Sequence, residues 1–333
     1  VPMVKGRGSM ALAGPHLVRA AVGEDVTQEE LGGSRVHCRK SGVGDLEVKS
    51  DEDCIQAIKD YLSFMPSHNG EPPPVRPCDD PIDRADQGLL DVLPDSNRQP
   101  YDMYDVISRI TDHGENFDLK PQWAKTLITC FARFGGRPAG IVASQPKQLG
   151  GILDNDSADK AARFVNLCNA FGIPLVFLMD VPGFMVGTKV EEAGIIRHGA
   201  KMLHAVANAT VPKITVITRK AYGAGYYVMN GRAYEPDLIY AWPSAEISVM
   251  GAEGAVEIVM RKQVEEADDP AAMKQMLIDN YRKLIDVYIP ARNAMIDDVI
   301  DPRETREVIC RGLEMAEGKT VERPWKRNGV VPV

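Results

Sequence analysis

Two stretches of this sequence share one order: an apolar strand-like run, a turn that contains glycine, and a segment with helical spacing. The first is PLVFLMD at 174–180, which is too apolar for a strand with one exposed face and which leads into a turn at 181–187. The second is the β-branched run that begins at Val216, followed by Gly-Ala-Gly at 223–225. This order is typical of α/β proteins, in which buried strands alternate with helices.

The turn at 223–225 consists of small residues at the point where a strand passes into a helix. Small residues let backbone N–H groups approach a ligand oxygen closely, and a helix N-terminus carries partial positive charge. Such a turn can stabilise an oxyanion without a charged side chain. The alternative is that both turns only connect and cap ordinary elements. If the two strands are neighbours, both turns open on the same edge of the sheet, where α/β proteins usually bind ligands.

Other segments predict the remaining organisation. A helix is predicted from Thr188 to about Asn208, with Thr188 and Glu191 forming a capping box. Within it, His198 lies outside the apolar stripe and is interpreted as a surface or interface residue, with a catalytic base as the alternative. Asp180 ends the first apolar strand and either acts as a base or holds the turn through hydrogen bonds. Further helices are predicted over 51–64, 102–111, 156–170, 271–289 and 302–315, a hairpin around residues 135–136, and a proline-rich linker over 67–81.

Composition disfavours several classes of function. A net charge of −8 disfavours nucleic acid as a partner, and the longest apolar runs are far shorter than the roughly 20 residues that cross a bilayer. The six cysteines form no CxxC pair, which indicates reduced thiols and no zinc site; Cys130 and Cys168 are predicted to pack in the core. The sequence has no GxSxG, HExxH or GxxxxGK[ST] motif. We therefore expect no metal, no membrane contact and no ATP activation in this chain.

Five ordered motifs carry a family resemblance: FARFGGRPAGIVASQP, DVPGF, GIIRHGAKML, ATVPKITVITRKAYGAGYYVM and AWPSAEISVMGAEGAVEI, which begin at Phe131, Asp180, Gly194, Ala209 and Ala241. With them, the chain from about residue 76 onward resembles the C-terminal domain of the carboxyltransferase (β) subunit of biotin-dependent acyl-CoA carboxylases. This family contains the propionyl-CoA, acetyl-CoA and 3-methylcrotonyl-CoA carboxylases. The resemblance implies an α/β fold of the crotonase-like (ClpP/crotonase) ββα spiral type.

Residues 6–46 resemble the last third of the N-terminal domain of the same subunit. The resemblance thus implies three parts: the tail of an N-terminal carboxyltransferase domain at 1–66, a linker at 67–100 and a C-terminal carboxyltransferase domain at 101–333. We expect a partial sequence that lacks most of the first domain. In the family that domain builds much of the acyl-CoA site.

The resemblance implies transfer of a carboxyl group from carboxybiotin, held by a carrier partner, to the α-carbon of an acyl-CoA. The enzyme contributes positioning and two oxyanion holes, one for the ureido oxygen of biotin and one for the thioester oxygen. The backbone N–H groups of Ala224 and Gly225 match the biotin-side hole. Gly183 and Phe184 match the opposite wall of the biotin pocket, and Gly223 belongs to the same cofactor-binding turn.

Two tyrosines mark a departure from propionyl-type members, which have an Asp at the position of Tyr227 that influences acyl-chain selection. Tyr226 and Tyr227 either reshape the acyl pocket for a different acyl group or pack beneath the helix. The sequence leaves both alternatives open.

The resemblance also implies partners: a biotin carboxylase or biotin carboxyl carrier subunit, and further copies of the chain in a dimer-based homo-oligomer, a hexamer in the full-length family. The expected location is cytoplasmic, or the mitochondrial matrix if a transit peptide has been lost. Two alternative functions remain. One is the carboxyltransferase subunit of a biotin-dependent decarboxylase acting on malonyl-, methylmalonyl- or glutaconyl-CoA, and the other is a truncated, non-catalytic assembly domain.

Overall fold

A computed structural model describes residues 1–322, 324 and 330–332. The strands are β1 (Pro2–Val4), β2 (Leu46–Val48), β3 (Asn116–Asp118), β4 (Leu127–Phe134), β5 (Arg137–Ser144), β6 (Leu175–Val181), β7 (Lys213–Tyr222), β8 (Leu238–Ala241), β9 (Glu246–Ser248) and β10 (Asp298–Val299). The α-helices are α1 (Pro15–Val22), α2 (Gln28–Gly32), α3 (Ser34–Val36), α4 (Asp51–Leu62), α5 (Met103–Ile110), α6 (Asn155–Ala170), α7 (Thr188–Glu192), α8 (Ile195–Asn208), α9 (Gly223–Val228), α10 (Ala252–Val259), α11 (Arg261–Glu265), α12 (Pro270–Leu284), α13 (Tyr288–Arg292) and α14 (Thr305–Met315).

One large mixed sheet organises the molecule. Its strand order is β10-β8-β7-β6-β5-β4-β3, and β9 pairs with the end of β7. The strands from β5 to β10 along this order pair in parallel, whereas β3, β4 and β5 are antiparallel. The prediction that the two apolar strands are neighbours is confirmed, because β6 and β7 pair in parallel with Leu175 opposite Lys213.

The apolar character of β6 follows from burial on both faces. Leu175, Phe177 and Met179 join the core beneath α6 and α8, while Val176 and Leu178 join the core on the other face, with residues of α5 and α14. Every residue of β6 is buried. This arrangement explains why the segment lacks the alternation of a strand with one exposed face.

The predicted hairpin and most predicted helices are confirmed. β4 and β5 pair around residues 135–136, α5 begins after its N-cap Asp102, and α6 begins after Asp154, which forms a capping box with Ser157. Cys130 and Cys168 are fully buried, as predicted. The helix predicted at 271–289 ends earlier, at Leu284, and α13 follows it.

The prediction of one helix from Thr188 to Asn208 is wrong. Gly194 has a φ of 85°, a left-handed conformation that interrupts the helix, so α7 and α8 are separate. The predicted capping box does not form either, because Gly187 is the N-cap and Thr188 is already the first helical residue. A side-chain cap needs its hydroxyl one position earlier.

The first 66 residues contain the small parallel sheet β1–β2 and helices α1–α4. Helix α4 confirms the prediction at 51–64, although Ser50 and not Asp51 is its cap. Ile55 and Leu62 of its apolar stripe are 54% and 56% exposed. The proline-rich segment that follows is tied to the large sheet, because Arg133 donates to the Pro74 carbonyl and the Arg76 N–H donates to the Gly136 carbonyl. The boundaries of the three proposed parts stay a prediction.

Across the residues that the structure describes, no helix combines the length and the apolar composition needed to cross a membrane.

Candidate functional site

The two glycine turns lie against each other at the carboxyl edge of the sheet. β6 leads into the turn that contains Gly183, and β7 leads into α9, which contains Gly225. A Cβ atom added at Gly225 would lie 2.8 Å from Cγ2 of Val181 and 3.2 Å from Cα of Gly183. Glycine at position 225 therefore allows a close approach that a larger residue would prevent.

A third segment completes this edge. Strand β9 pairs in parallel with the end of β7, with Tyr222 opposite Ser248. A Cβ at Gly223 would lie 2.9 Å from the Val249 carbonyl oxygen, and Gly223 has a φ of 53°. We did not predict this neighbour from the sequence. Its signal is the same order seen twice before: the strand β9, then Gly251, then helix α10.

Backbone N–H groups are concentrated at the start of α9. Tyr222 is the N-cap, so Gly223, Ala224 and Gly225 are the first three helical residues. The N–H groups of a first turn have no acceptor within their own helix. Ala224 is exposed and Gly225 is buried. The turn thus has the donors that an oxyanion-binding role requires, and it adds the positive end of a helix.

The opposite wall is formed by Gly183 and Phe184. The Leu153 N–H donates to the Gly183 carbonyl at 3.0 Å, which fixes this turn to the start of α6. Gly183 has a φ of 134°, and a Cβ built on it would meet no heavy atom within 4 Å. The ring of Phe184 lies over Gly199 of α8, 3.2 Å from the position a Cβ would take there. Open space therefore faces Gly183, whereas Phe184 closes the wall against a helix.

The two tyrosines have different environments. Tyr226 is buried in the core, and its hydroxyl accepts a hydrogen bond from the Arg232 N–H at 3.0 Å. Tyr227 is 47% exposed and makes edge-on ring contacts with Tyr226 and Tyr234. The packing alternative therefore fits Tyr226, and a pocket role stays a proposal for Tyr227 alone.

Two groups considered as bases have structural partners. Asp180 is fully buried and accepts hydrogen bonds from Arg219 Nε at 2.9 Å and from the Lys220 N–H at 3.1 Å. His198 Nδ1 lies 2.8 Å from Asp159 Oδ2, which links α8 to α6. Burial raises the pKa of Asp180, against the opposing effect of Arg219 and Lys220. These contacts favour the hydrogen-bonding interpretation of Asp180. The Asp159 contact gives His198 a structural partner, and its role at an interface stays a prediction.

Nothing in the described ranges resembles a metal site, since no three His, Cys, Asp or Glu side chains are grouped to hold an ion. All six cysteines are free thiols. The chemistry available at the sheet edge is therefore that of backbone donors, a helix N-terminus and a neighbouring open space. Such a site can bind an oxygen atom that carries or develops negative charge.

Comparison with known proteins gives consistent matches. The model of the carboxyl transferase domain family matches residues 1–331. A methylmalonyl-CoA decarboxylase subunit alpha from Propionigenium modestum is 43% identical over 332 residues, which cover 99% of this chain and 64% of the relative. A propionyl-CoA carboxylase beta chain from Roseobacter denitrificans is 43% identical over 331 residues, with the same two coverages of 99% and 64%.

A solved structure agrees in fold. The crystal structure of transcarboxylase 12S, described as a hexamer and holding methylmalonyl-coenzyme A and methylmalonic acid, has a TM-score of 0.95 and 44% identity to this chain. The match covers 100% of this chain and 64% of that one. The expected crotonase-like fold is confirmed. The chain spans 64% of the length of each of these three longer proteins.

Proposed function

Because this chain belongs to the carboxyl transferase family, we propose that it is the carboxyltransferase component of a biotin-dependent acyl-CoA carboxylase. It would move a carboxyl group between carboxybiotin and the α-carbon of an acyl-CoA. The observation that carries the proposal is the contact between the two glycine turns, where Gly225 approaches Gly183 beside an open space. Family membership alone would also fit a chain whose site is closed or dismantled.

The residues of this edge fit a biotin group. When bound, carboxybiotin supplies the carboxyl group that is transferred. The Ala224 and Gly225 N–H groups would donate to the ureido oxygen, and Gly183 and Phe184 would line the other wall, with Gly223 giving the turn its left-handed start. Loss of one such donor typically costs about 3 kcal/mol in the transition state. The donors belong to the main chain, so side-chain truncation does not remove them.

For the acyl group we propose a short-chain acyl-CoA. The relatives are described as acting on propionyl-CoA or methylmalonyl-CoA. Tyr227 is the residue of this chain that we place at the acyl pocket, because it is half exposed at the same helix as the oxyanion donors. A phenol at this position would narrow the space beside the thioester relative to a smaller acidic side chain.

We propose as partners a biotin carboxylase and a biotin carboxyl carrier. Carboxylation of biotin consumes ATP, and the sequence has no GxxxxGK[ST] motif for ATP binding. A dimer-based homo-oligomer is proposed by analogy with the transcarboxylase 12S hexamer. A cytoplasmic or mitochondrial-matrix location stays a prediction.

The second candidate is the carboxyltransferase subunit of a biotin-dependent decarboxylase. The observation that favours it is sequence identity: the decarboxylase relative and the carboxylase relative are each 43% identical to this chain. Both functions use the same transfer step in opposite directions. Co-purification with an ATP-dependent biotin carboxylase would favour the carboxylase, and co-purification with a membrane subunit would favour the decarboxylase.

The proposal is tested by incubating the chain with methylmalonyl-CoA that carries a labelled carboxyl group and with free biotin. We expect biotin-dependent transfer of label together with release of propionyl-CoA. If the chain alone is inactive, the same assay is repeated with the upstream part of the propionyl-CoA carboxylase relative fused to it. Absence of biotin-dependent transfer in both proteins would contradict the proposed function.

A further inference from the structure

Strands β6 and β7 pair irregularly just before the two turns. Met179 pairs with Ile217 and Val181 pairs with Ala221, so one intervening residue of β6 faces three of β7. Such a bulge leaves backbone groups without their ladder partners. Buried groups of this kind need other hydrogen-bond partners.

Asp180 supplies such a partner for one backbone group of the bulge, the Lys220 N–H, and also binds a side chain there. Its Oδ1 accepts the Lys220 N–H at 3.1 Å, and its Oδ2 accepts Arg219 Nε–H at 2.9 Å. Its own N–H donates to Ser144 Oγ at 3.2 Å, which extends the connection to β5. The carboxylate therefore joins β6 to the part of β7 that no longer pairs regularly.

Arg219 is itself fixed from a third side. Its guanidinium donates to the Gln99 carbonyl at 3.0 Å and lies 4.9 Å from the ring centre of Tyr101. The Tyr101 hydroxyl lies 3.1 Å from Thr218 Oγ1, and the Thr218 hydroxyl donates to the Met179 carbonyl at 3.2 Å. Asp180 and Arg219 are 0% and 2% exposed. In a buried pair with fixed surroundings, neither side chain can rearrange without breaking hydrogen bonds.

We propose that Asp180, held by Arg219, is a positioning residue for carboxyl transfer, because it sets the spacing between the turn at Gly183 and the turn at Gly225. The inference rests on the proposed function. Val181 follows Asp180 directly, and its Cγ2 lies 2.8 Å from the place that a Cβ would take at Gly225. Gly223 follows Lys220 by three residues. A change in the bulge is thus transmitted to both turns within one to five residues of chain.

Two acceptor oxygens are needed at position 180, because each oxygen of Asp180 accepts a hydrogen bond. Asp180→Asn keeps the shape but turns one oxygen into an NH₂ group, which faces either Arg219 Nε–H or the Lys220 N–H as donor against donor. Arg219→Gln restores an acceptor in that position. The double variant Asp180→Asn/Arg219→Gln can therefore rebuild a neutral hydrogen bond across the bulge.

The chain offers a matched control. Asp112 and Arg306 are also buried and bonded at 2.8 Å, and Asp112 accepts N–H groups of the β4–β5 turn, at the opposite edge of the sheet. Asp112→Asn breaks a similar pair far from the candidate site. A general effect of losing a buried ion pair would appear in both variants.

The first measurement is amide hydrogen exchange of the folded variants. We expect Asp180→Asn to speed exchange at 181–187 and 223–229 by at least about tenfold, with a smaller effect elsewhere, and Asp112→Asn to have its largest local effect around 135–136 and a much smaller one at 181–187 and 223–229. Equal exchange at these segments in wild type and Asp180→Asn would overturn the proposal. So would a uniform increase along the chain.

The second measurement is transfer activity in whichever form of the protein is active. We expect kcat to fall about 100-fold in Asp180→Asn with little change in KM for the acyl-CoA, as for a displacement of about an ångström. The double variant should have a kcat at least about tenfold higher than that of Asp180→Asn. A rise in KM with kcat unchanged would contradict a positioning role. So would a double variant whose kcat is no higher than that of Asp180→Asn.

Arg219→Lys serves if Asp180→Asn does not fold, because it keeps the charge and loses the fixed geometry of the guanidinium. The same local rise in exchange is expected, and its absence would overturn the proposal. The exchange measurement needs no activity, so it decides on Asp180 even if no form of the protein transfers a carboxyl group. If no form of the protein transfers a carboxyl group, that result would count against the proposed function and not against the structural role of Asp180.

Discussion

Two sets of glycine turns lie at opposite edges of the same sheet, and each is supported by a buried Asp–Arg pair. At the amino edge of β5, Asp112 accepts the N–H groups of Gly135 and Gly136 and pairs with Arg306. At the carboxyl edge, Asp180 supports the bulge that precedes Gly183 and Gly225. The local chemistry of the two supports is therefore similar.

The space beside the glycines is different. A Cβ at Gly136 would lie 1.8 Å from the Arg76 carbonyl oxygen, because the preceding segment of the chain occupies the place a side chain would take. A Cβ at Gly183 would meet nothing within 4 Å. One glycine is required by the packing of the protein on itself, and the other leaves room for something else. This contrast separates a structural turn from a candidate site better than the glycines themselves do.

The two carboxylates also differ in pKa. Burial opposes ionisation of Asp112, but hydrogen bonds from the Gly136 N–H, Arg306 and the Gly135 N–H outweigh it and lower its pKa. For Asp180, complete burial prevails over Arg219 and Lys220, and its pKa is raised. Asp112 thus contributes acid-sensitive stability, which allows the two edges to be tested separately.

The largest effect is expected at the structural turn. Gly136→Ala places a methyl group against backbone at a φ of 82°, and we expect a loss of about 4 kcal/mol in the free energy of unfolding. Gly150→Ala is the control, because its φ is 70° and its Cβ would meet nothing within 4 Å. Strain alone should cost it about 1 kcal/mol. If urea unfolding gave the two variants equal losses of unfolding free energy, the clash with the Arg76 carbonyl would not contribute to the cost of Gly136→Ala.

The second effect concerns the pair that supports this turn. Asp112→Asn removes the nearer of the two carboxylates beside the buried Arg306 side chain and leaves only Asp80 Oδ2, at 3.6 Å, so we expect a loss of about 3 kcal/mol in the free energy of unfolding at neutral pH. The folded pKa of Asp112 is lowered, so its contribution is present above the unfolded value of 3.8 and is lost as pH falls through the folded pKa. The difference in unfolding free energy between wild type and variant should therefore shrink in acid. A difference independent of pH would contradict this account.

A smaller effect on stability, with a larger effect on activity, is expected at the open edge. Gly225→Ala pushes Val181 and Gly183 away, which should cost about 2 kcal/mol in unfolding and about 100-fold in carboxyl transfer. Gly254→Ala is the control, since that helical glycine has open space and alanine should raise stability by about 0.5 kcal/mol with activity unchanged. Full activity in Gly225→Ala would remove the turn from the site.

The smallest effect on stability is expected at Tyr227. Tyr227→Asp changes a half-exposed side chain, so the free energy of unfolding should change by less than about 0.5 kcal/mol. If Tyr227 lines the acyl pocket, the relative rates on acetyl-, propionyl- and methylcrotonyl-CoA should change. Unchanged ratios would leave Tyr227 as a surface residue.

Much of this architecture is predictable from the sequence because periodicity and apolar runs report burial directly. The double-sided burial of β6 and the β4–β5 hairpin follow from residue types and from glycines at the turn. The break at Gly194 was missed because the apolar stripe continues across it, and only the backbone conformation shows the interruption. Helical spacing alone did not reveal it.

The features of the site that the sequence does not predict depend on contacts between distant residues. Val249 lies 24 residues or more from the glycines of α9, and its contact with Gly223 depends on how β9 adds to the end of β7. The bulge at Asp180 likewise depends on the register between two strands, which the residue types do not specify. The sequence identified Asp180 as a candidate, but the partner Arg219 became visible only in the folded chain.

The most direct test of the account is a titration of the isotope-labelled chain with biotin, followed through the backbone amide resonances. The account predicts saturable shifts at Ala224 and Gly225, with neighbouring changes at Gly183, and no change at Gly135 or Gly136. Saturable shifts confined to other parts of the molecule, or equal shifts at both edges of the sheet, would contradict the claim that the open turns form the biotin site.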